Sequence, residues 1–137
     1  MQKVEIFTNL PEDQIIIKGV AYSKLNDIGT FVDILVDTGA NATSLSSILA
    51  SSLGLWPDRG HNAIFETAAG TAEVYTGKLD LKLYSGTGAI KINNIPVYVQ
   101  DMRNLNCDII LGLDVLKMFK FSFEPRQGGG KFTIIKE

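Results

Sequence analysis

The chain carries two copies of the tripeptide Thr-Gly-Ala, and only one is preceded by a group that can do chemistry. In the stretch ILVDTGANAT, residues 34–43, the tripeptide follows Asp37; in YSGTGAIK, residues 84–91, it follows Gly86. Five of the six residues Phe31–Val36 are apolar, so Asp37 sits where a buried strand ends. A carboxylate there is costly to desolvate unless backbone N–H groups bond to it. The small residues Gly39 and Ala40 can bring such groups close, and Thr38 adds a hydroxyl. The functional reading is a rigid carboxylate facing a cleft, suited to general acid–base work. The structural reading is an Asp that caps a turn. Gly86-Thr87-Gly88-Ala89 has no carboxylate and its glycines suit a hairpin turn; no Gly-Lys-Ser/Thr follows, so it is no phosphate loop either.

The elements that must position Asp37 read mostly as strands. Residues 4–7, 14–22, 30–37, 79–84, 90–92, 95–100, 107–112, 119–124 and 131–136 are rich in β-branched and aromatic residues or alternate between apolar and polar. Asn93-Asn94 reads as a turn between two of them, and the glycine run 128–130 as another. Two segments read as helical. Residues 44–54 have a serine-rich start suited to capping and stop at Gly54; residues 114–119 form a short helix with Asp114 as its cap. The pattern predicts one mainly-β domain over 1–137, folded as a barrel or sandwich.

Composition narrows the function classes. The 137 residues are 45% hydrophobic and 20% charged, as expected of a globular chain, with a formal net charge of −2. There is no basic run to follow a phosphate backbone, which argues against nucleic acid as a partner. No segment is apolar and long enough to span a membrane, and the N-terminus lacks a signal core; the expectation is a soluble, cytoplasmic protein. A single cysteine, Cys107, and a single histidine, His61, do not make a zinc site or a Cys–His pair. Cys107 reads as a small residue at a strand start, His61 as a loop residue, and Trp56 as packing after the first helix.

A second stretch gives Asp37 a context. Asp108 to Leu116, DIILGLDVL, reads as a buried strand, a glycine and a short helix. Together with Leu35-Val36-Asp37-Thr38-Gly39-Ala40 it resembles the retropepsin-like aspartic proteases. That family pairs an apolar-apolar-Asp-Thr-Gly-Ala loop with a later apolar-apolar-Gly before a short helix, at the spacing seen from Gly39 to Gly112. Thr43 matches the Asp-Thr-Gly-Ala-x-x-Thr form of the loop. The ending, residues 110–135, is most similar to the protease-like domain of eukaryotic ubiquitin-shuttle proteins and to bacterial single-domain relatives. The helix-like serine run after Thr43 departs from the viral pattern.

The resemblance implies a closed β-barrel of the acid-protease type and an endopeptidase without cofactor or metal. Asp37 would be the catalytic carboxylate. That chemistry needs two carboxylates sharing one proton, and a chain with one Asp-Thr-Gly would supply them as a two-fold homodimer. Thr38 would hold the two loops together, while Gly39 and Ala40 would present backbone groups to an extended peptide or unfolded protein. Ala69, Gly70 and Thr71 would form the tip of a flap. Ile110, Leu111 and Gly112 would be structural supports, and the strand 131–136 a candidate for pairing between subunits. Two other readings stay open: a non-proteolytic peptide-binding or assembly module on this fold, and a monomer in which Asp37 is a turn residue.

Overall fold

The computed structural model describes residues 2–8, 14–23, 28–55, 62–67, 70–86 and 88–137; for 62–67 and 70–75 the description is of the backbone. Among the described residues, ten strands and two short helices follow in order: β1 (Gln2–Thr8), β2 (Ile16–Ser23), β3 (Ile28–Val36), β4 (Ser44–Ser46), α1 (Ser47–Ser52), β5 (Asn62–Thr67), β6 (Gly70–Ser85), β7 (Gly88–Gln100), β8 (Ile109–Leu111), α2 (Leu113–Leu116), β9 (Lys120–Arg126) and β10 (Gly129–Lys136).

Strands β2-β3-β8-β4-β7-β6 pair in that order, and β6 pairs again with β2. The six therefore close into a barrel, which leaves no unpaired edge at the seam. β5 extends β6 as a hairpin, with Thr67 opposite Gly70. A second sheet, β1-β10-β9, stands beside the barrel. Ile17, Ile34, Leu45, Leu81, Ile90, Ile109, Leu111 and Phe132 are almost fully buried in one core shared by both sheets. The alternation in the sequence explains this: β10 buries Phe132 and Ile134 while β1 buries Val4 and Ile6.

Four sequence expectations change. The helix expected over 44–54 begins three residues later, because Ser44–Ser46 form β4, parallel to Tyr98–Gln100 and antiparallel to β8. Ser46 still caps α1 by accepting from Leu49 N–H, and Gly54 closes it at φ 69°. Asn93-Asn94 is not a turn between two strands but a bulge within β7. Between the pairs Leu79↔Ile95 and Leu81↔Ile92, two residues face only Asp80. Asn94 takes a φ of 56°, and its N–H donates to the buried Asp80 carboxylate at 2.7 Å.

The third change concerns β10. It lies between β1 and β9, with Gln2–Thr8 on one side and Lys120–Arg126 on the other. Both of its edges are occupied within the chain, so residues 131–136 are not free to pair with another subunit. The outer strands of that sheet are β1 and β9. The fourth concerns Asp114, which does not cap α2; Gly112 occupies the cap position. β6 and β7 pair as the expected hairpin, with Ser85 opposite Gly88; Thr87 lies outside the described residues.

Candidate active site

Asp37 sits where β3 leaves the barrel. Val36 pairs in parallel with Leu111, and Asp37 N–H continues the ladder by donating to Leu111 O at 3.1 Å. The chain then loops over the end of β8 and returns as β4 on the other side of that strand. This crossover is possible because residues 38–42 are small or polar. Further down, the strands are clamped by Asp108, whose carboxylate accepts from Asp33 N–H at 2.8 Å while its own N–H donates to Asp33 O at 2.8 Å.

Within the loop the half-buried Asp37 carboxylate is held by its own turn. Gly39 N–H donates to Oδ1 at 2.9 Å, and Ala40 N–H donates to the Asp37 carbonyl at 3.2 Å. A Cβ at Gly39 would stand 3.2 Å from that carboxylate oxygen, so close approach explains this glycine. Thr38 and Gly39 are exposed and Ala40 is half-buried.

The loop rests on the second signature. Leu113 N–H donates to Ala40 O at 2.7 Å. Gly112 N–H donates to Thr43 Oγ1 at 3.1 Å, and that hydroxyl donates onward to Asp114 Oδ1 at 2.8 Å. Asp114 also accepts from the N–H groups of Thr43 and Val115, at 3.2 and 2.9 Å. Ile110 and Leu111 are β8 residues and supply the parallel ladder beneath Asp37. The structure thus brings together Asp37, Gly39, Ala40, Thr43, Leu111, Gly112 and Asp114.

Asp114 is the residue that sequence reasoning misjudged. Its place two positions after Gly112 is visible in the sequence, but its partner Thr43 lies 71 residues away and is brought to it by the fold. Replacing Asp114 by Ala should leave the Thr43 N–H and hydroxyl without their acceptor and cost about 2 kcal/mol or more, read by denaturant titration. Asp114→Asn, which keeps one acceptor oxygen, should lose less; equal losses would mean that size rather than hydrogen bonding matters here.

Gly70 and Thr71 begin β6 at the turn of the β5–β6 hairpin. Ala69, Trp56 and His61 lie outside the described residues. Cys107 is buried, and burial together with the Asp108 carboxylate pushes its thiol pKa up. The thiolate is the nucleophilic form, so Cys107 should alkylate with iodoacetamide at least about tenfold more slowly in the folded than in the unfolded chain near neutral pH. Fast labelling of the folded protein would contradict this. Among the described residues no helix is long and apolar enough to cross a membrane.

Three comparisons bear on this arrangement. Residues 23–115 match a protein family described as aspartyl protease. The fold resembles a retropepsin-like aspartic protease from Rickettsia conorii, with TM-score 0.58 and 21% identity over 96% of this chain and 92% of that one. It also resembles the EIAV protease solved with the inhibitor HBY-793, with TM-score 0.51 and 22% identity over 80% of this chain and 91% of that one. At such identities the likeness speaks for the fold, which is retropepsin-like. No curated protein matches the chain.

Proposed function

The chain belongs to the aspartyl protease family, and from that premise we propose that it is an endopeptidase acting as a two-fold homodimer, with Asp37 of each subunit forming the catalytic pair. The observation that carries this reading is the Asp37 turn itself: a carboxylate fixed by Gly39 N–H on a loop that is docked through Leu113 and Thr43 onto α2. One such loop supplies one carboxylate, and the reaction needs two.

In the pair the two carboxyl groups share one proton. The charged group takes a proton from a water lying between them, and the water oxygen bonds to the peptide carbonyl carbon. The neutral group gives its proton to the carbonyl oxygen as that oxygen gains charge. Collapse of the intermediate breaks the C–N bond, and the nitrogen leaves after taking up a proton from the dyad. Thr38 links the two loops, and Gly39 and Ala40 offer backbone groups to an extended chain. The β5–β6 hairpin, with Gly70 and Thr71 near its turn, closes over it and excludes water. Because the dyad must keep one proton, the optimum lies on the acid side of neutrality.

The β9 edge is the surface available for a seam between subunits. Six of its seven residues are exposed, and its outer side has no strand partner among the described residues. Edge-to-edge pairing of two β9 strands would join two three-stranded sheets into one continuous sheet.

The test is cleavage of a diverse peptide mixture between about pH 4 and about pH 7, read by mass spectrometry, with sedimentation on the same samples. Activity per subunit should fall on dilution through the range where the dimer dissociates. Cleavage that is undiminished in a sample shown to be monomeric would remove the dimer from the reading. A dimer that binds extended peptides without ever cutting them would favour the non-proteolytic module.

A further inference from the structure

A groove of about 600 Å³ opens between β7, the end of α2 and the end of β10, and the turn mechanism above makes no use of it. Four lysines line it: Lys91 from β7, Lys117 and Lys120 beside α2, and Lys136 from β10. They come from separate parts of the sequence, which is why no basic run announces them. All four are exposed residues, and the one acid on the lining, Glu137, pairs with Lys120 at 2.9 Å. This is a local excess of positive charge on a chain whose net charge is −2. Phe119 and Ile135, both half-buried, also line the groove.

We propose that this groove is a binding site for an acidic, extended polypeptide segment. Charge complementarity selects the anion. The backbone selects a peptide over a small anion. β7 pairs with β6 along its length but meets β4 only at Tyr98–Gln100, so around Lys91 its other side has no strand partner among the described residues. The Lys91 carbonyl turns into this space, where the Lys136 ammonium reaches it at 3.4 Å. An incoming strand can replace that weak contact with main-chain hydrogen bonds, set its apolar side chains on Phe119 and Ile135, and give its carboxylates to the lysines. The Lys91 ammonium lies over the Tyr22 ring of β2, 5.7 Å from its centroid, so Lys91 offers the groove its backbone and the charge comes from Lys117, Lys120 and Lys136. Binding at this groove is independent of the peptidase reading; a role in recruiting substrate rests on it.

The experiment uses a labelled short peptide of alternating Glu and Val, with a Gln and Val version as its neutral partner. Binding to full-length Asp37→Asn protein, which cannot consume the probe, is followed by fluorescence anisotropy. The acidic peptide should bind and the neutral one should not, with affinity falling as salt is raised. The double variant Lys117→Glu/Lys136→Glu should weaken binding at least about tenfold. The double Lys18→Glu/Lys78→Glu makes the same change in net charge away from the groove and should leave affinity within about twofold. Equal losses in the two doubles, equal binding of the neutral peptide, or displacement of the probe by an equally tight short DNA strand would each overturn the proposal. Peptide binding in a protein whose native form cleaves nothing would leave the groove standing and remove only the peptidase reading.

Discussion

On the proposed two-fold reading, replacing Asp37 by Asn should abolish peptide cleavage, by about a thousandfold or more, while the folded dimer persists. The reason is in the local geometry. Asn has the same shape, and its Oδ1 can accept the Gly39 N–H that the carboxylate accepts at 2.9 Å. The loop therefore keeps its turn, its bond from Leu113 and its contact with Gly112. What disappears is the ionisable pair, since an amide neither takes the proton from water nor shares one. The melting temperature should move by only a few degrees. A sharper form of the test mixes the two proteins. A dimer with one Asp and one Asn has no dyad, so excess Asp37→Asn protein should suppress native activity beyond simple dilution. Cleavage that survives in a clean Asp37→Asn preparation would mean that another group does the chemistry, and suppression that fails would mean that one subunit suffices.

The parts of this site that were legible in the sequence are those set by local pattern. The apolar run before Asp37 ends in the strand it promised, and the alternation of residues 79–84 and 119–124 marks true strands. What was illegible depends on partners distant in the chain. Ser44–Ser46 look like the start of a helix, and form a strand because Tyr98–Gln100 and β8 lie on either side. Asn93-Asn94 favour a left-handed backbone in a turn or a bulge alike; a strand on the far side, with Asp80 to bond Asn94, decides for the bulge. Asp114 is a plausible helix cap by position, and only the fold brings Thr43 to it. The last strand looked available at its edges until β9 folded back along it. The lysine groove belongs to the same class, since it gathers lysines from β7, the end of α2, β9 and β10.

Gly112→Ala should damage the site almost as severely as loss of Asp37, by displacing the loop rather than the chemistry. The φ of Gly112 is −91°, which any residue can adopt, so the constraint is space. A Cβ there would lie 2.6 Å from the Ala42 carbonyl oxygen, 2.7 Å from its carbon and 3.0 Å from the Ala40 oxygen. All three are backbone atoms of the loop that carries Asp37, and none can rotate away like a side-chain tip. Ordinary contacts begin near about 3.5 Å, so the loop must retreat by roughly an ångström. That retreat stretches the bonds from Leu113 N–H to Ala40 and from Gly112 N–H to Thr43, 2.7 and 3.1 Å in the native arrangement. The expected cost is about 1–3 kcal/mol of stability. A catalytic group misplaced by that much should lose about a hundredfold in kcat/KM. Gly86, in the other Thr-Gly-Ala segment, is the internal control. A Cβ there meets nothing within 4 Å, so Gly86→Ala should be neutral to within about 0.5 kcal/mol and fully active. If Gly112→Ala keeps full activity, docking on α2 is not what holds Asp37 in place; if it loses activity while Gly86→Ala does not, the difference between the two Thr-Gly-Ala segments lies as much in what packs beneath the loop as in the carboxylate that precedes it.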